Sequence, residues 1–294
     1  MKKYIFIAGL ALLFAASCSK EIDNQINNNT LVPVTVSVND FSIEMVDFPQ
    51  TRATTPLGSY GGAKAITLAF YTNDGTECYK ATQIKADEET YTTFGYFSLN
   101  LPMGSYTMVI LGYGLYDDDV FTLTSPTLAG FSGDVRETLV AKESVNITSA
   151  AAVSLSTTLN RIVSKLQVVS TDGKAANVNK VRMTFSAGGR QFSPSNGLAT
   201  LNTGTVSTVS NSSEVGSTSS SVGYVFLATD EQTMDVTIET LDAAGNTLYS
   251  TVVNDVPFKR NRCTKLSGSL YPTAGATSSF QVNTSWLDPE EMDF

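Results

Sequence analysis

The chain has 294 residues, 42% of them hydrophobic and 16% charged, with a formal net charge of −9 and no histidine. Without imidazole there is no Ser-His-Asp or Cys-His machinery, no histidine metal site and no imidazole base. The acidic balance argues against a nucleic-acid partner.

At the N-terminus, Lys2 and Lys3 precede an apolar run, Tyr4–Ala16, that gives way to Ser17 and Cys18. A basic head, an apolar stretch shorter than the ~20 residues that span a bilayer, and a small-residue exit predict a secretory signal peptide over residues 1–17. Ala15-Ala16-Ser17-Cys18 resembles a bacterial lipobox, with Ala15 where leucine is usual. The resemblance implies that the Cys18 thiol takes a diacylglycerol and becomes the new N-terminus; the alternative is an ordinary signal peptide with an incidental cysteine. At about 0.8 kcal/mol per buried methylene, acyl chains on Cys18 would hold the protein at a membrane. Residues 18–30 end in an Asn-rich stretch that can build no core and predict a flexible tether.

From Leu31 the dominant period is two. Val32, Val34, Val36 and Val38 alternate with Pro33, Thr35 and Ser37, the pattern of a half-buried strand. Strand-like runs follow at Ile66–Tyr71, Phe94–Leu101, Ser105–Tyr113, Val153–Leu159, Ile162–Ser170 and Val178–Ser186. Later ones are Val222–Ala228, Met234–Leu241, Leu248–Val253 and Cys263–Tyr271. Turn signals such as Asn73-Asp74-Gly75, Pro102-Met103-Gly104 and Ala244-Gly245-Asn246 separate them. Many short strands so punctuated predict an all-β chain of antiparallel sandwiches. Asp134–Lys142 is the one segment that reads as a short helix. Ser149–Ala152 is the expected boundary between domains at 31–148 and 149–294. From Thr203 to Ser221, twelve of nineteen residues are Ser or Thr, which predicts a mobile loop or solvated edge.

No catalytic motif stands out. Gly112-Tyr113-Gly114 lacks the third glycine of a dinucleotide turn, and neither a Gly-Lys-Ser/Thr loop nor a Gly-x-Ser-x-Gly elbow occurs. Asp117, Asp118 and Asp119 match no calcium loop and read as a solvated connector. The three cysteines are too few for a disulfide scaffold and too scattered for a zinc site. Cys78 and Cys263 read as two buried free thiols. No cofactor, metal or catalytic residue is expected.

Three local patterns, in order behind the lipobox, resemble the fimbrillin superfamily, the type V pilins and pilus anchor lipoproteins of Bacteroidota. They are Leu99-Asn100-Leu101-Pro102-Met103-Gly104-Ser105-Tyr106, Leu159-Asn160-Arg161-Ile162-Val163-Ser164-Lys165-Leu166, and Pro257-Phe258-Lys259-Arg260-Asn261-Arg262. The resemblance implies two tandem transthyretin-like sandwiches and a structural, non-enzymatic role in a fimbrium. It implies an outer-membrane location through the lipid on Cys18, with other fimbrial subunits and a host or bacterial surface ligand as partners. It also implies a removable first strand, here Val32–Phe48, shed by cleavage between Arg52 and Ala53 and replaced by a strand from another subunit, a case of β-strand addition. The Thr-rich loop around Arg52 is a place where nicking is physically easy, although Arg52 also reads as an ordinary linker residue.

At the other end, residues 279–287 form the candidate donor. Phe280, Val282, Thr284 and Trp286 alternate with polar residues; the alternative is a last strand of the chain's own second domain. Cleavage at Arg52 would make a stalk or tip subunit, and retention of the lipid an anchoring or accessory one, the reading preferred here. A surface glycan-binding lipoprotein using the chain's tyrosines is the rival from another class.

Overall fold

The computed structural model describes residues 30–42, 54–56, 61–85, 93–116, 120–272 and 280–283. Every regular element among them is a β-strand. The first ten are β1 Leu31–Ser42, β2 Thr54–Pro56, β3 Ala65–Thr72, β4 Glu77–Ile84, β5 Tyr96–Pro102, β6 Gly104–Tyr113, β7 Phe121–Ser125, β8 Leu128–Phe131, β9 Thr138–Ile147 and β10 Val153–Arg161. Then come β11 Ser164–Ser170, β12 Lys180–Phe185, β13 Gln191–Phe192, β14 Thr205–Ser210, β15 Ser220–Val225, β16 Glu231–Leu241, β17 Thr247–Lys259, β18 Cys263–Gly268 and β19 Phe280–Asn283.

An eight-stranded sheet runs in the order β2-β1-β10-β9-β6-β3-β4, with β5 also paired to β1. Two four-stranded sheets, β15-β11-β18-β19 and β14-β12-β16-β17, come from the later chain. Their facing side chains, among them Leu166, Met183, Phe185, Val236, Phe258 and Leu266, form one core. The large sheet buries both faces. Ile66, Leu68, Phe70, Met108 and Ile110 point to one core, and their neighbours Ala65, Ala69, Tyr71, Val109 and Leu111 point to another. Burial on both faces explains why β3 and the middle of β6 read as near-continuous apolar runs. The second of these cores also takes in Ile162, Val163, Phe192 and Phe226, so it is shared with the later chain.

Several expectations need correction. Asp134–Lys142 is not helical: β9 begins at Thr138 and pairs antiparallel with β6 from Gly104↔Ile147 to Tyr113↔Thr138. Leu139 and Val140 are buried in opposite cores, and that two-sided packing overrides a helical reading of so short a segment. Ser149–Ala152 links β9 to β10, both in the large sheet, and the strands of the four-stranded sheets begin with β11 after Ile162–Val163. Of the two alternatives for the Ser/Thr-rich stretch the edge is the one realised: it contains an edge strand, β14, and the start of another, β15. Its inward hydroxyls, on Thr205, Ser207 and Ser221, are buried without a hydrogen-bond partner among the described residues. Two ladders are parallel where antiparallel pairing is expected, β1–β10 and β11–β18. Cys78 is exposed on β4; Cys263 is buried, and both are free thiols.

Among the turns read from sequence, Thr72–Thr76 is built as its composition demands. The Gly75 amide donates to the Thr72 carbonyl at 2.9 Å, and Gly75 adopts φ +84°, a region closed to most side chains. The Thr76 amide donates to Asp74 Oδ1 at 3.1 Å. Hydrogen bonds from Thr72 and Thr76 hold the Asp74 carboxyl below its usual range.

Candidate strand-binding groove

β1 occupies an unusual place for a first strand. It lies between two partners, antiparallel to β5 from Leu31↔Pro102 to Ser37↔Tyr96 and parallel to β10 from Val34↔Val153 to Ser42↔Asn160. A register shift between Val38 and Asp40 lets the end of the strand turn to meet β2. The alternation seen in the sequence is realised. Val32, Val34 and Val36 are fully buried and Val38 nearly so, each such side chain contributing about 1.5–3 kcal/mol. The outward side chains, from Leu31 and Pro33 to Thr35, Ser37 and Asn39, are half-buried or exposed, and Thr35 Oγ1 donates to Ser154 Oγ at 3.1 Å.

The walls of this slot depend on the strand inside it. Among the described residues β5 has no ladder other than that with β1. β10, among the same residues, pairs with β9 only through Asn160↔Val140 and Arg161↔Leu139, so most of its length is held by β1 alone. Val32, Val34 and Val36 belong to the same core cluster as Phe97, Leu99 and Leu101 of β5, Leu159 of β10 and Ile66, Leu68 and Phe70 of β3, so taking β1 away would open that apolar core. It would also leave two unpaired strand edges facing each other across the width of one strand, about 10 Å. Unpaired edges over an apolar floor are what β-strand addition requires.

Two contacts fix the β5 wall. Gln83, buried, donates through Nε2 to the Tyr96 carbonyl at 2.7 Å and accepts from the Gly95 amide through Oε1 at 2.7 Å, clasping the start of the strand. Sequence reasoning missed Gln83, whose only signal is a polar residue among the apolar positions of an unrecognised strand. At the far end, the Tyr106 hydroxyl donates to the Pro102 carbonyl at 2.8 Å, closing the β5–β6 turn. Its ring meets Phe70 edge-on at 6.3 Å. The Gly104-Ser105-Tyr106 pattern thus has a physical role at the groove.

The other two family-like patterns meet at the junction of the sheet systems. Arg161, at the end of β10, donates through Nε to the Glu137 carboxylate with both side chains withdrawn from solvent. The Lys165 amide donates to the Arg262 carbonyl, and the Asn261 amide to the Val163 carbonyl, both at 2.9 Å. Burial depresses the Lys165 ammonium below its ordinary value.

Of the residues singled out in the sequence, Cys18, Arg52, Ala53, Thr284 and Trp286 lie outside the described residues, as do Asp117–Asp119. β2 begins two residues after Arg52 and pairs with the end of β1, Phe41 opposite Thr55. Phe280 and Val282 lie in β19, on the outer edge of β18 in a different sheet. Phe280 packs against the core between the four-stranded sheets, whereas Val282 is 37% exposed.

The chain belongs to the family of unknown function DUF6562, whose profile matches residues 27–293. No curated protein matches it. Among solved structures, it is similar to a protein provisionally described as an adhesin from Bacteroides ovatus, at 11% identity and TM-score 0.52, covering 89% of this chain and 96% of that one. It is also similar to the fimbrial anchor protein Mfa2 from Porphyromonas gingivalis, at 12% identity and TM-score 0.48, with 87% and 98% covered. A third is a Bacteroides thetaiotaomicron structure of the DUF1812 group, provisionally described as polysaccharide-binding, at 10% identity and TM-score 0.47, with 89% and 100% covered. The first of these likenesses shows the fold and nothing further.

Proposed function

We propose that the chain is a structural, non-enzymatic subunit of a surface fimbrium built by β-strand addition, and that in this subunit β1 fills its own acceptor groove. In this reading the chain forms two transthyretin-like units that divide after β10. The lipid on Cys18 anchors it in the outer membrane, where it serves as an anchoring or accessory subunit, supports adhesion and contacts other fimbrial subunits. The observation that carries the reading is the position of β1: the first described strand, it is the only ladder partner of β5 among the described residues and it closes an apolar core. A cut between Arg52 and Ala53 falls between β1 and β2 and would release β1 together with Cys18, which makes the cut form a stalk or tip subunit and the uncut form the anchored one.

Two experiments test it. The full chain is treated briefly with trypsin, the new N-terminus is sequenced, and a synthetic peptide of residues 31–42 is added. Release of β1 with stoichiometric rebinding of the peptide is expected; cleavage at Arg52 with no peptide uptake overturns the groove. Separately, Cys18→Ser should move the protein from the membrane to the soluble fraction, and unchanged partition overturns the anchor.

A further inference from the structure

A cleft of about 530 Å³ opens at the turn between β17 and β18. Its ionic lining is Lys259, Arg260 and Arg262 against Asp230 and Glu231, with Arg161, already paired with Glu137, at its base. The chain as a whole carries −9, so this is a local excess of positive charge in an acidic protein. A concave, cation-lined site of this kind concentrates anions.

Two of the cations are held by exchangeable partners. Arg260 Nη2 pairs with Asp230 Oδ1 at 2.7 Å and Lys259 Nζ with Glu231 Oε1 at 2.8 Å, and both acid side chains are 68% exposed. Exposed pairs of this kind contribute little, so an incoming carboxylate can compete with them.

The direction of β19 says where such a carboxylate comes from. β19 runs antiparallel to β18, with Phe280 opposite Gly268 and Asn283 opposite Lys265. Each residue after Asn283 that keeps this course travels toward Arg262, which it reaches after about 10 Å. Asp288 follows Asn283 by about 17 Å of extended chain, and Asp288, Glu290, Glu291 and Asp293 supply four carboxylates within six residues. We infer that the cleft is the docking site of this chain's own acidic tail, residues 288–293, whose carboxylates pair with Lys259 and Arg260. The tail thereby latches β19 to its own sheet. The inference does not depend on the fimbrial reading.

The test uses the full chain with Asp288→Asn, Glu290→Gln, Glu291→Gln and Asp293→Asn, which leaves the cleft without its acidic occupant. A fluorescent peptide of residues 284–294 is expected to bind this variant and to bind the unsubstituted chain at least about tenfold more weakly, because the tethered tail competes at high effective concentration. Arg260→Glu or Lys259→Glu in the same background should weaken binding by at least about tenfold, as should raising sodium chloride from 50 to 500 mM. A peptide with the four acids neutralised should not bind. Equal binding to both proteins, indifference to both charge reversals, or uptake of the neutralised peptide overturns the proposal. So does a concentration-dependent dimer of the unsubstituted chain that the tail substitutions abolish, since the occupant is then a second copy's tail.

Discussion

Arg161 donates to Glu137 at the end of β10, with side chains 6% and 5% exposed. Removing one partner of such a pair takes a charge-assisted hydrogen bond from a side chain that is largely withdrawn from water. Glu137→Gln should therefore lower stability by about 3–5 kcal/mol. Replacing both residues by Leu and Met should recover most of the loss, since neither leaves an orphan charge. Denaturant midpoints of the two variants check this, and a double variant no more stable than the single one refutes it.

The β1 trough makes a graded prediction. Val34→Ala and Val36→Ala each delete buried methyl groups and should cost about 2 kcal/mol. Pro33→Ala, on the exposed face of the same strand, should change stability by less than about 0.5 kcal/mol. Urea unfolding monitored over all three variants separates the faces, and equal effects would mean that the strand is not held by its valines.

Tyr71 is 1% exposed, and its hydroxyl has no hydrogen-bond partner among the described residues. Burial first, and the Glu77 carboxylate second, push its ionisation from 10.0 up to about 12. A folded-state value above the unfolded one means that this stability is complete below pH 10 and is lost as pH climbs toward 12. Tyr71→Phe should raise stability at pH 7 by about 1 kcal/mol and flatten the alkaline decline attributable to this group. Melting temperatures between pH 7 and 11 for both proteins give the answer.

The two phenylalanines of the later core differ in depth. Phe258 is fully buried and meets the Phe185 ring at 5.8 Å, so Phe258→Ala should cost about 3–5 kcal/mol. Phe280 packs against the same core from the edge strand and is half-buried. Phe280→Ala should cost about 1–2 kcal/mol, in keeping with its smaller buried area. Comparable losses would show that β19 is as integral as β17.

Strands with one buried face, β1, β12 and β16, announce themselves by alternation, and β3 by its unbroken apolar run. β4 does not, because its outward positions are exposed and its inward ones are Tyr79, Ala81 and Gln83. β9 was obscured for the opposite reason: Leu139 and Val140 are both buried, on different faces, which erases the period of two. β14 carries hydroxyls where a core strand would carry methyls, so its composition imitates a loop. Of the groove, the valine ridge was legible and its walls were not. That β5 and β10 flank β1 follows from pairing between residues far apart in the chain, which no local pattern records. Arg161 was visible as part of a family-like motif, but its partner Glu137 sits in a segment whose local signal pointed to a helix.

The separation of those walls also bears on how the molecule is made. Thr35 reaches Ser154 across 119 positions, whereas β3 with β4 and β16 with β17 are hairpins that close over short loops. Local hairpins form quickly, and distant pairings wait for the whole intervening polypeptide. The β1–β10 ladder is thus the part of the large sheet whose closure orders the longest stretch of intervening polypeptide.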